Sequence, residues 1–328
     1  MPPGPAASAP LRFRSTAAPE PLVARSPRMR QMCGLLQRIA ASDAMVRITG
    51  ESGVGKGFVA RLLHGQSPRA SAPFVSIACA NLPDTLFESE LFGHEKGSHT
   101  DAKETRRGRL EDAGAGTVLF DGVEELSMAA QAKLLRVLEA RSFERLGGSA
   151  TLQLAARPVA VSGTDLEERV RGGRFRADLF YRLDVVRLHV PPLRERRADI
   201  DRLATFFLRH YRRLHRRPLL VLTPPARRLL QEHSWPGNVR ELRNAMEHLV
   251  LTAAGRAVQP EEIHLGEGAG AATSLRSAEE AMLSLAALEA AYIRQVLRRT
   301  GGNQTRAAQV LGISRKTLLE KRRRYGIG

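Results

Sequence analysis

The sequence predicts an α/β domain built on a mainly parallel sheet, followed by a helical region and a strongly basic C-terminal unit. Apolar, strand-like runs alternate with helical patterns up to about residue 190, and a glycine-rich loop joins the first strand to the next helix. After Pro191 the patterns are helical only. Strands that alternate with helices favour a parallel sheet covered on both faces.

The elements follow from short apolar runs and from helical spacing. Strands are predicted at residues 44–49, 117–120, 158–161 and 185–190, and helices at 58–63, 131–138, 199–211, 225–232 and 239–252. We expect a flexible tail over 1–22, an α/β core over 23–193, a helical lid over 194–262, a linker over 263–282 and a helix-turn-helix unit over 283–328.

Composition excludes several classes of protein. With 43% apolar residues, the 328-residue chain can bury a core. No apolar run approaches the roughly 18 residues that a membrane helix needs, and the N-terminus has no secretory signal. The two cysteines, Cys33 and Cys79, exclude a disulfide scaffold and a four-cysteine zinc site. We therefore expect a cytoplasmic protein that makes no contact with membranes.

The positive charge is concentrated at the C-terminus. The chain has a net charge of +17, and residues 292–328 contain ten basic residues and one acidic residue. Such a segment predicts a polyanionic partner. An arginine-rich composition throughout the chain is the alternative, and it explains only part of the excess.

The loop at residues 50–57 has the pattern of a phosphate-binding loop. Its glycines let successive backbone N–H groups face phosphate oxygens, and its lysine reaches the terminal phosphates at the start of a helix. The residues are Gly50, Glu51, Ser52, Gly53, Val54, Gly55, Lys56 and Gly57. A glycine turn with a chance lysine is the alternative, which the strand before and the helix after disfavour. Asp121, at the end of the next predicted strand, is the expected metal-holding acid.

Four longer strings identify a family. ESELFGHEKG at 88–97, FRADLFYRL at 175–183, PPLRER at 191–196 and WPGNVREL at 235–242 occur in order. Together they resemble the AAA+ domain of NtrC-like, sigma-54-dependent enhancer-binding activators over about residues 22–262. The end of the chain resembles their Fis-type DNA-binding domain. The resemblance implies a ring-forming module, usually a hexamer, with ATP bound between subunits.

The resemblance also implies roles for individual residues. Lys56 and its loop would bind the phosphates of ATP, and Asp121 would hold Mg²⁺. Arg176 and Arg182 resemble arginine fingers that reach the ATP of a neighbouring subunit and neutralise charge on the transferred phosphoryl group. Arg240 resembles the lid arginine that senses the nucleotide.

The chain departs from the family at the residues that activate water. Gly122 stands where the family has the glutamate that polarises the attacking water, and Ala78 replaces the asparagine that partners it. Glu124 and Glu125 follow on a loop, and we do not expect them to replace the missing glutamate. The next predicted strand ends in Ser162-Gly163 instead of Thr-Asn, so a polar contact to the γ-phosphate is lost as well. We therefore expect ATP binding with weakened hydrolysis.

The loop that touches sigma-54 in the family is also altered. It reads Gly97, Ser98, His99, Thr100, Asp101 and Ala102. In the family an aromatic residue and a glycine stand where this chain has His99 and Asp101. A polar, charged tip replaces an apolar one, so we expect contact with the sigma-54 RNA polymerase holoenzyme to be weakened.

Residues 303–326 predict a helix, a turn and a second helix. Gly312 permits the turn and Ser314 can cap the second helix, whose basic face fits the major groove of promoter or enhancer DNA. The expected DNA-binding residues are Ser314, Arg315, Lys316, Thr317, Lys321, Arg322 and Arg323. A basic helical hairpin with a solvated face is the alternative.

These features predict a DNA-binding transcription regulator with an ATP-binding AAA+ module. The alternatives are an active ATPase that remodels sigma-54 polymerase, and a repressor or sigma-70-linked regulator. We expect either a homo-oligomer or a mixed ring in which this chain supplies arginine fingers to a related subunit. About 22 residues precede the module, so we expect no sensory domain there and control by a partner or by expression level.

Overall fold

The computed structural model describes residues 22–79, 83–98, 104–163, 166–217, 219–253, 255–265, 289–290, 292–294, 296–297, 300 and 303–326. The chain divides into two compact units, residues 1–264 and 265–328. Residues 1–21 of the expected tail and residues 266–282 of the expected linker lie outside the described part. The expected domain boundaries stay predictions.

The first unit begins with an alternating α/β region. Its helices are α1 (Pro27–Ala40), α2 (Lys56–Gly65), α3 (Asp84–Phe92), α4 (Arg109–Asp112), α5 (Met128–Ala140), α6 (Leu166–Arg171) and α7 (Ala177–Leu183). Its strands are β1 (Val46–Thr49), β2 (Phe74–Ala78), β3 (Gly93–His94), β4 (Arg106–Arg107), β5 (Thr117–Asp121), β6 (Ser142–Glu144), β7 (Thr151–Gln153), β8 (Arg157–Ser162) and β9 (Val186–His189).

Five of these strands form one parallel sheet in the order β2-β5-β8-β1-β9. Alternate residues of a strand face opposite sides. Val118 and Phe120 of β5 therefore pack with the core under α3, α5 and α7, whereas Leu119 packs with α1 and α2. The parallel sheet covered on both faces is the predicted fold, and it places the carboxyl ends of β1, β5 and β8 at one edge.

The lid contains α8 (Arg197–Leu214), β10 (Val221–Leu222), α9 (Pro224–Glu232), α10 (Asn238–Thr252) and β11 (Ala257–Val258). The predicted helical lid is confirmed, and the structure adds one short parallel pair, β10 and β11, that the helical patterns did not indicate. Two-residue strands are too short to show a period in the sequence. Buried residues of α8 and α10, including Phe207 and Leu249, form the lid's own core.

The second unit contains the predicted helix-turn-helix, α11 (Gln304–Leu311) and α12 (Arg315–Arg324). Gly312 takes the left-handed conformation at the turn, with φ of 66°. The hydroxyl of Ser314 accepts the backbone N–H of Thr317 at 3.0 Å and caps α12. Ala307, Ala308 and Leu318 are buried between the helices. The predicted turn and cap are therefore confirmed.

Across the described residues, no helix is long and apolar enough to cross a membrane.

A buried arginine connects the end of helix α1 to the sheet through hydrogen bonds. Arg157, the first residue of β8, is 1% exposed. Its guanidinium donates hydrogen bonds to the carbonyl oxygens of Ile39 and Ala40, both at 3.0 Å, at the end of α1. Burial lowers the pKa of Arg157 because the charged form loses hydration. The side chain therefore supplies a donor to the Ala40 carbonyl at the helix end, whereas the Ile39 carbonyl also accepts from Ser42.

We expect Arg157→Met to lower the free energy of unfolding by about 1–3 kcal/mol, because the buried carbonyl oxygen of Ala40 loses this donor. Urea denaturation with global fitting is the measurement. Arg30→Met, at an exposed position of α1, is the matched control and should change stability by less than about 0.5 kcal/mol. Equal stability of the two variants would contradict this role of Arg157.

Candidate nucleotide and DNA sites

Glycines shape the loop between β1 and α2. Gly50, Gly53 and Gly55 have φ values of 146°, 78° and 100°, which side chains disfavour. A Cβ on Gly53 would lie 2.2 Å from the carbonyl oxygen of Gly237 in the lid, so only glycine fits. The loop delivers the chain to the N-terminus of the ten-residue helix α2, whose first N–H groups have no partner within the helix. This geometry suits an anionic ligand.

Lys56 lies over this loop. Its Nζ donates to the carbonyl oxygens of Gly50 and Glu51, both at 2.8 Å. Burial lowers the pKa of Lys56 because a desolvated ammonium is costly, and the charges of Glu124 and Asp121 oppose that shift. The lysine is therefore a partly buried cation whose charge the carboxylates of Glu124 and Asp121 favour.

Asp121 lies where the sequence placed it, at the carboxyl end of β5. It is exposed and pairs in register with Ala78 of β2 and Val161 of β8. The next residue, Gly122, has φ of 79° and ψ of 46°, a left-handed conformation. Gly57, immediately after the loop lysine, brings no hydroxyl to the site. The site therefore offers a metal ion the carboxylate of Asp121, and residue 57 offers it no side-chain oxygen.

The structure brings one unexpected carboxylate into the site. Glu124 is 7% exposed, and its Oε1 accepts the backbone N–H of Gly163 at 2.6 Å. A Cβ on Gly163 would lie 3.1 Å from this oxygen and 3.8 Å from Lys56 Nζ. Glu124 therefore occupies the space that a side chain at residue 163 would fill, beside the loop lysine.

The next residue, Glu125, has a different partner from Glu124. The exposed carboxylate of Glu125 pairs with Arg169 Nη2 at 3.2 Å. The same guanidinium donates through Nη1 to the backbone carbonyl oxygen of Glu124 at 2.6 Å. Two adjacent glutamates thus have opposite orientations. Gly163 lies against the inward carboxylate, and Gly122 precedes the turn that carries it.

Asn238 joins the lid to the phosphate loop. It is fully buried with φ of 53°, a conformation that asparagine tolerates better than most residues. Its Nδ2 donates to Glu51 Oε2 at 3.1 Å and to the Ser52 carbonyl oxygen at 3.0 Å, while its Oδ1 accepts the backbone N–H of Leu193 at 2.7 Å. Asn238 lies within the family string at 235–242, but the resemblance implies no individual role for it.

Two lid-side arginines reinforce this junction. Arg194 donates from both terminal nitrogens to the Glu51 carboxylate, with one contact at 2.8 Å, and this pairing lowers the pKa of Glu51. Arg196 is 4% exposed and donates to the Val54 carbonyl oxygen at 2.8 Å. Burial lowers the pKa of Arg196 to about 10. The sequence did not indicate a role for either arginine, because their partners in the loop are more than a hundred residues away along the chain.

Arg240 lies at the loop, as the resemblance implies. Its backbone N–H donates to the Gly53 carbonyl oxygen at 3.2 Å and its Nη1 to Ser52 Oγ at 3.2 Å. The side chain therefore contacts the surface that would receive phosphates.

The expected arginine fingers lie apart from this cluster. Arg176 pairs with Asp178 at 2.7 Å, and Arg182 donates through Nη2 to the Leu138 carbonyl oxygen at 2.8 Å. Within the described residues, neither side chain is hydrogen-bonded to the chain's own phosphate loop. Tyr181, between them, is 75% exposed. Their placement on an exposed stretch suits contact with another molecule.

Of the expected polymerase-contact loop, residues 99–102 lie outside the described part. Gly97 has φ of 82°, and the backbone N–H of Ser98 donates to the Glu95 carbonyl oxygen at 3.1 Å. These contacts define how the chain enters the loop.

On α12, the expected DNA-binding residues divide into two groups. Arg315, Lys316 and Arg323 are exposed. Lys321 instead pairs with Glu289 at 2.6 Å, within the second unit. Glu289 also accepts a hydrogen bond from the Tyr325 hydroxyl. Lys321 therefore connects α12 to Glu289 through an ion pair. Its position in a run of basic residues predicted a contact with DNA.

Ser314, Thr317 and Arg322 complete the expected set. Ser314 and Thr317 are joined at the start of α12 by a hydroxyl contact of 2.8 Å in addition to the cap. Arg322 is half-buried. The helix start thus has a fixed geometry, from which the exposed Arg315 and Lys316 project.

Comparison with known proteins agrees with this architecture. Residues 22–189 match the family described as the sigma-54 interaction domain. Residues 194–278 match the AAA+ ATPase lid domain, and residues 284–325 match the Fis family of bacterial regulatory proteins. The chain therefore belongs to the family of sigma-54-dependent enhancer-binding regulators, which confirms the resemblance.

Similar proteins include the regulatory protein AtoC of Escherichia coli, 42% identical over 93% of this chain and 68% of its own length. The transcriptional regulatory protein FlbD of Caulobacter vibrioides is 43% identical over 93% of this chain and 70% of its own length. The crystal structure of NtrX from Brucella abortus in complex with ATP has a TM-score of 0.70 at 35% identity, covering 96% of this chain and 71% of NtrX.

We expect Asn238→Ala to lower the free energy of unfolding by about 1–3 kcal/mol, because the buried N–H of Leu193 loses its acceptor. Chemical denaturation is the measurement. Asn244→Ala, exposed on the same helix, is the matched control and should stay within about 0.5 kcal/mol of the wild type. If both variants unfold like the wild type, the lid is not held to the loop through Asn238.

Proposed function

We propose that this chain is a transcription regulator that binds ATP with Mg²⁺ at the loop over residues 50–57 and binds promoter or enhancer DNA through α12. The observation that carries the nucleotide site is Lys56, a partly buried cation at a helix N-terminus that donates to two loop carbonyl oxygens and whose charge two carboxylates favour. The structure of NtrX in complex with ATP supports the same ligand here.

The residues present fit a magnesium ion that arrives with the nucleotide. Among the described residues, no group of three or more His, Cys, Asp or Glu side chains could hold a metal. Mg²⁺ is commonly held by one or two carboxylates, phosphate oxygens and water. Asp121 would supply the carboxylate, and Gly57 supplies no hydroxyl. The ion would neutralise phosphate charge, so its binding depends on ATP.

We further propose that this site hydrolyses ATP slowly. Gly122, Ala78 and Gly163 place no polar side chain at the three positions where the family has a glutamate and two asparagines. Loss of a water-positioning general base costs about 10²–10⁴-fold in rate.

Accordingly, ATP turnover should be about 10²-fold below that of a relative that has the family's glutamate and asparagine at these positions, the low end of what a missing base costs. Phosphate release from both proteins, measured side by side at saturating ATP and Mg²⁺, gives the comparison. Lys56→Ala is the control that should abolish nucleotide binding. Turnover equal to that of the relative would contradict slow hydrolysis and favour an active remodelling ATPase.

For assembly, we propose a ring in which Arg176 and Arg182 serve the nucleotide of a neighbouring subunit. Support comes from the exposed stretch that carries them, with Tyr181 75% and Val185 60% exposed. A chain with slow hydrolysis of its own can still complete a partner's site. A homo-oligomer and a mixed ring with a related AAA+ subunit both follow from this arrangement, and turnover after mixing with the relative separates them.

The altered loop at residues 97–102 supports a weakened contact with sigma-54 polymerase. His99 and Asp101 replace an aromatic residue and a glycine of the family with polar groups, which disfavour an apolar docking contact. A repressor or sigma-70-linked role would appear as regulated transcription in a strain without sigma-54.

DNA binding should depend on α12 and on salt. We expect Arg315→Ala, at the helix start, to change sequence preference by about 1–3 kcal/mol. Arg323→Ala should weaken binding to all sequences and reduce the salt slope by roughly 0.9. Fluorescence anisotropy at several salt concentrations is the measurement. Normal promoter binding by residues 1–265 alone would overturn the assignment.

A further inference from the structure

One carboxylate oxygen of Glu124 has no partner among the described residues. The residue is 7% exposed and its Oε1 accepts the Gly163 N–H, whereas its Oε2 is buried and has no hydrogen-bond partner within the part of the chain that the structure describes. An unpaired buried carboxylate oxygen is costly. The cost is offset when a ligand, such as a water molecule, donates a hydrogen bond to that oxygen.

The position of the carboxylate points to the nucleotide site. Glu124 Oε1 and Lys56 Nζ both lie within 4 Å of the point where a Cβ of Gly163 would be. Glu124 is the charged group that most strongly favours the protonated form of Lys56. A phosphate bound by Lys56 would therefore have this carboxylate close by.

Two features of the backbone hold Glu124 in this position. Gly122, at φ 79°, starts a 3₁₀ turn over Val123–Glu125, and Arg169 holds the carbonyl oxygen of Glu124 at 2.6 Å. A non-glycine residue at 122 would strain this turn by about 1–3 kcal/mol. Buried Val123 anchors the turn in the core. The same turn therefore disfavours a side chain at residue 122 and carries the inward carboxylate of Glu124.

We propose that Glu124 is the general base of this chain, a catalytic residue that orients and deprotonates the water attacking ATP. The water oxygen bonds to the γ-phosphorus while the bond from that phosphorus to the β–γ bridging oxygen breaks. The water proton passes to Glu124 Oε2 and then to solvent. ADP and phosphate leave, and Lys56 balances the phosphate charge.

This inference rests on the proposed function and names the residue responsible for the remaining hydrolysis. For Glu124 it departs from the expectation that neither Glu124 nor Glu125 replaces the missing glutamate. It assigns Gly163 a role as well, because any side chain at 163 would compete with the Glu124 carboxylate for the same space.

A structural role for Glu124 is the rival explanation. As an acceptor for the Gly163 N–H, the carboxylate would hold the end of β8 and do nothing else. Glu124→Gln separates the two roles, because its amide oxygen still accepts this hydrogen bond while the group can no longer take a proton. A structural role predicts unchanged turnover, whereas a general base predicts lost turnover with unchanged binding.

The experiment measures ATP hydrolysis by the full chain in single turnover, with the dissociation constant of ATP determined separately by fluorescence with a labelled ATP. We expect Glu124→Gln to lower the rate at saturating ATP by about 10²–10⁴-fold and to leave the dissociation constant within about threefold. Glu125→Gln, whose side chain is 49% exposed, is the matched control and should hydrolyse ATP like the wild type.

A second pair of variants tests the shared space. Gly163→Ala places its Cβ 3.1 Å from Glu124 Oε1, so the carboxylate must shift by a few tenths of an ångström, and hydrolysis should slow by about tenfold because small misplacements of a catalytic group are costly. In the Glu124→Gln background the same change should have little further effect, because two residues that act as a unit are not additive. Gly34→Ala, where a Cβ meets nothing within 4 Å, is the control.

The outcomes are distinct. Unchanged hydrolysis in Glu124→Gln overturns the inference and leaves the proposed ATP binding intact. The same holds if the wild type binds ATP but never hydrolyses it. If the wild type does not bind ATP, the proposed function fails and the inference fails with it. Lost hydrolysis with retained binding and an unchanged melting temperature supports Glu124 as the base.

Discussion

The ammonium group of Lys56 is the interaction on which the rest of the site depends. Burial deprives it of water, and two loop carbonyl oxygens and two nearby carboxylates offset that loss. Those partners come from four places in the sequence, at residues 50, 51, 121 and 124. The parallel sheet brings them together because its strands end at one edge. The fold therefore places a partly buried cation where a phosphate can replace the carbonyl partners.

The same loop is the point at which the lid meets the core. Asn238 and Arg194 both bind the carboxylate of Glu51, and Arg196 binds the next turn of the loop at Val54. These contacts link the end of the sheet to the start of α10. The loop carbonyls and Arg240 therefore belong to the same set of contacts as the lid. This coupling gives the nucleotide a physical route to the position of the lid helices.

The fold was largely predictable because its signals are local. The glycine loop, the apolar strands before it and after it, and the Gly312 turn each occupy a few consecutive residues. Strand β2 was missed because Phe74–Ala78 has only one fully buried residue. The lid strands were missed because they are two residues long. The pairing of Lys321 with Glu289 crosses 32 positions, so the basic run concealed it.

The carboxylate at residue 124 was not predictable from residue identity alone. Its orientation depends on the φ angle at Gly122 and on the hydrogen bond from Arg169, and neither has a signature in a short motif. In the sequence, residues 78, 122 and 163 lack the polar side chains of the family. In the structure, Gly122 starts the turn that carries Glu124, and Gly163 lies against the carboxylate of Glu124. The account of this protein as a slow but competent ATPase depends on this arrangement.

The most direct measurement is a crystal or cryo-electron microscopy structure of the chain with Mg²⁺ and a slowly hydrolysed ATP analogue, at a resolution that shows water. We predict a water molecule in line with the γ-phosphorus and the bridging oxygen, about 2.6–3.2 Å from Glu124 Oε2. Lys56 should have left the loop carbonyl oxygens for the phosphates. A Glu124 carboxylate turned away from the γ-phosphate, or an in-line water held by other groups, would contradict the account.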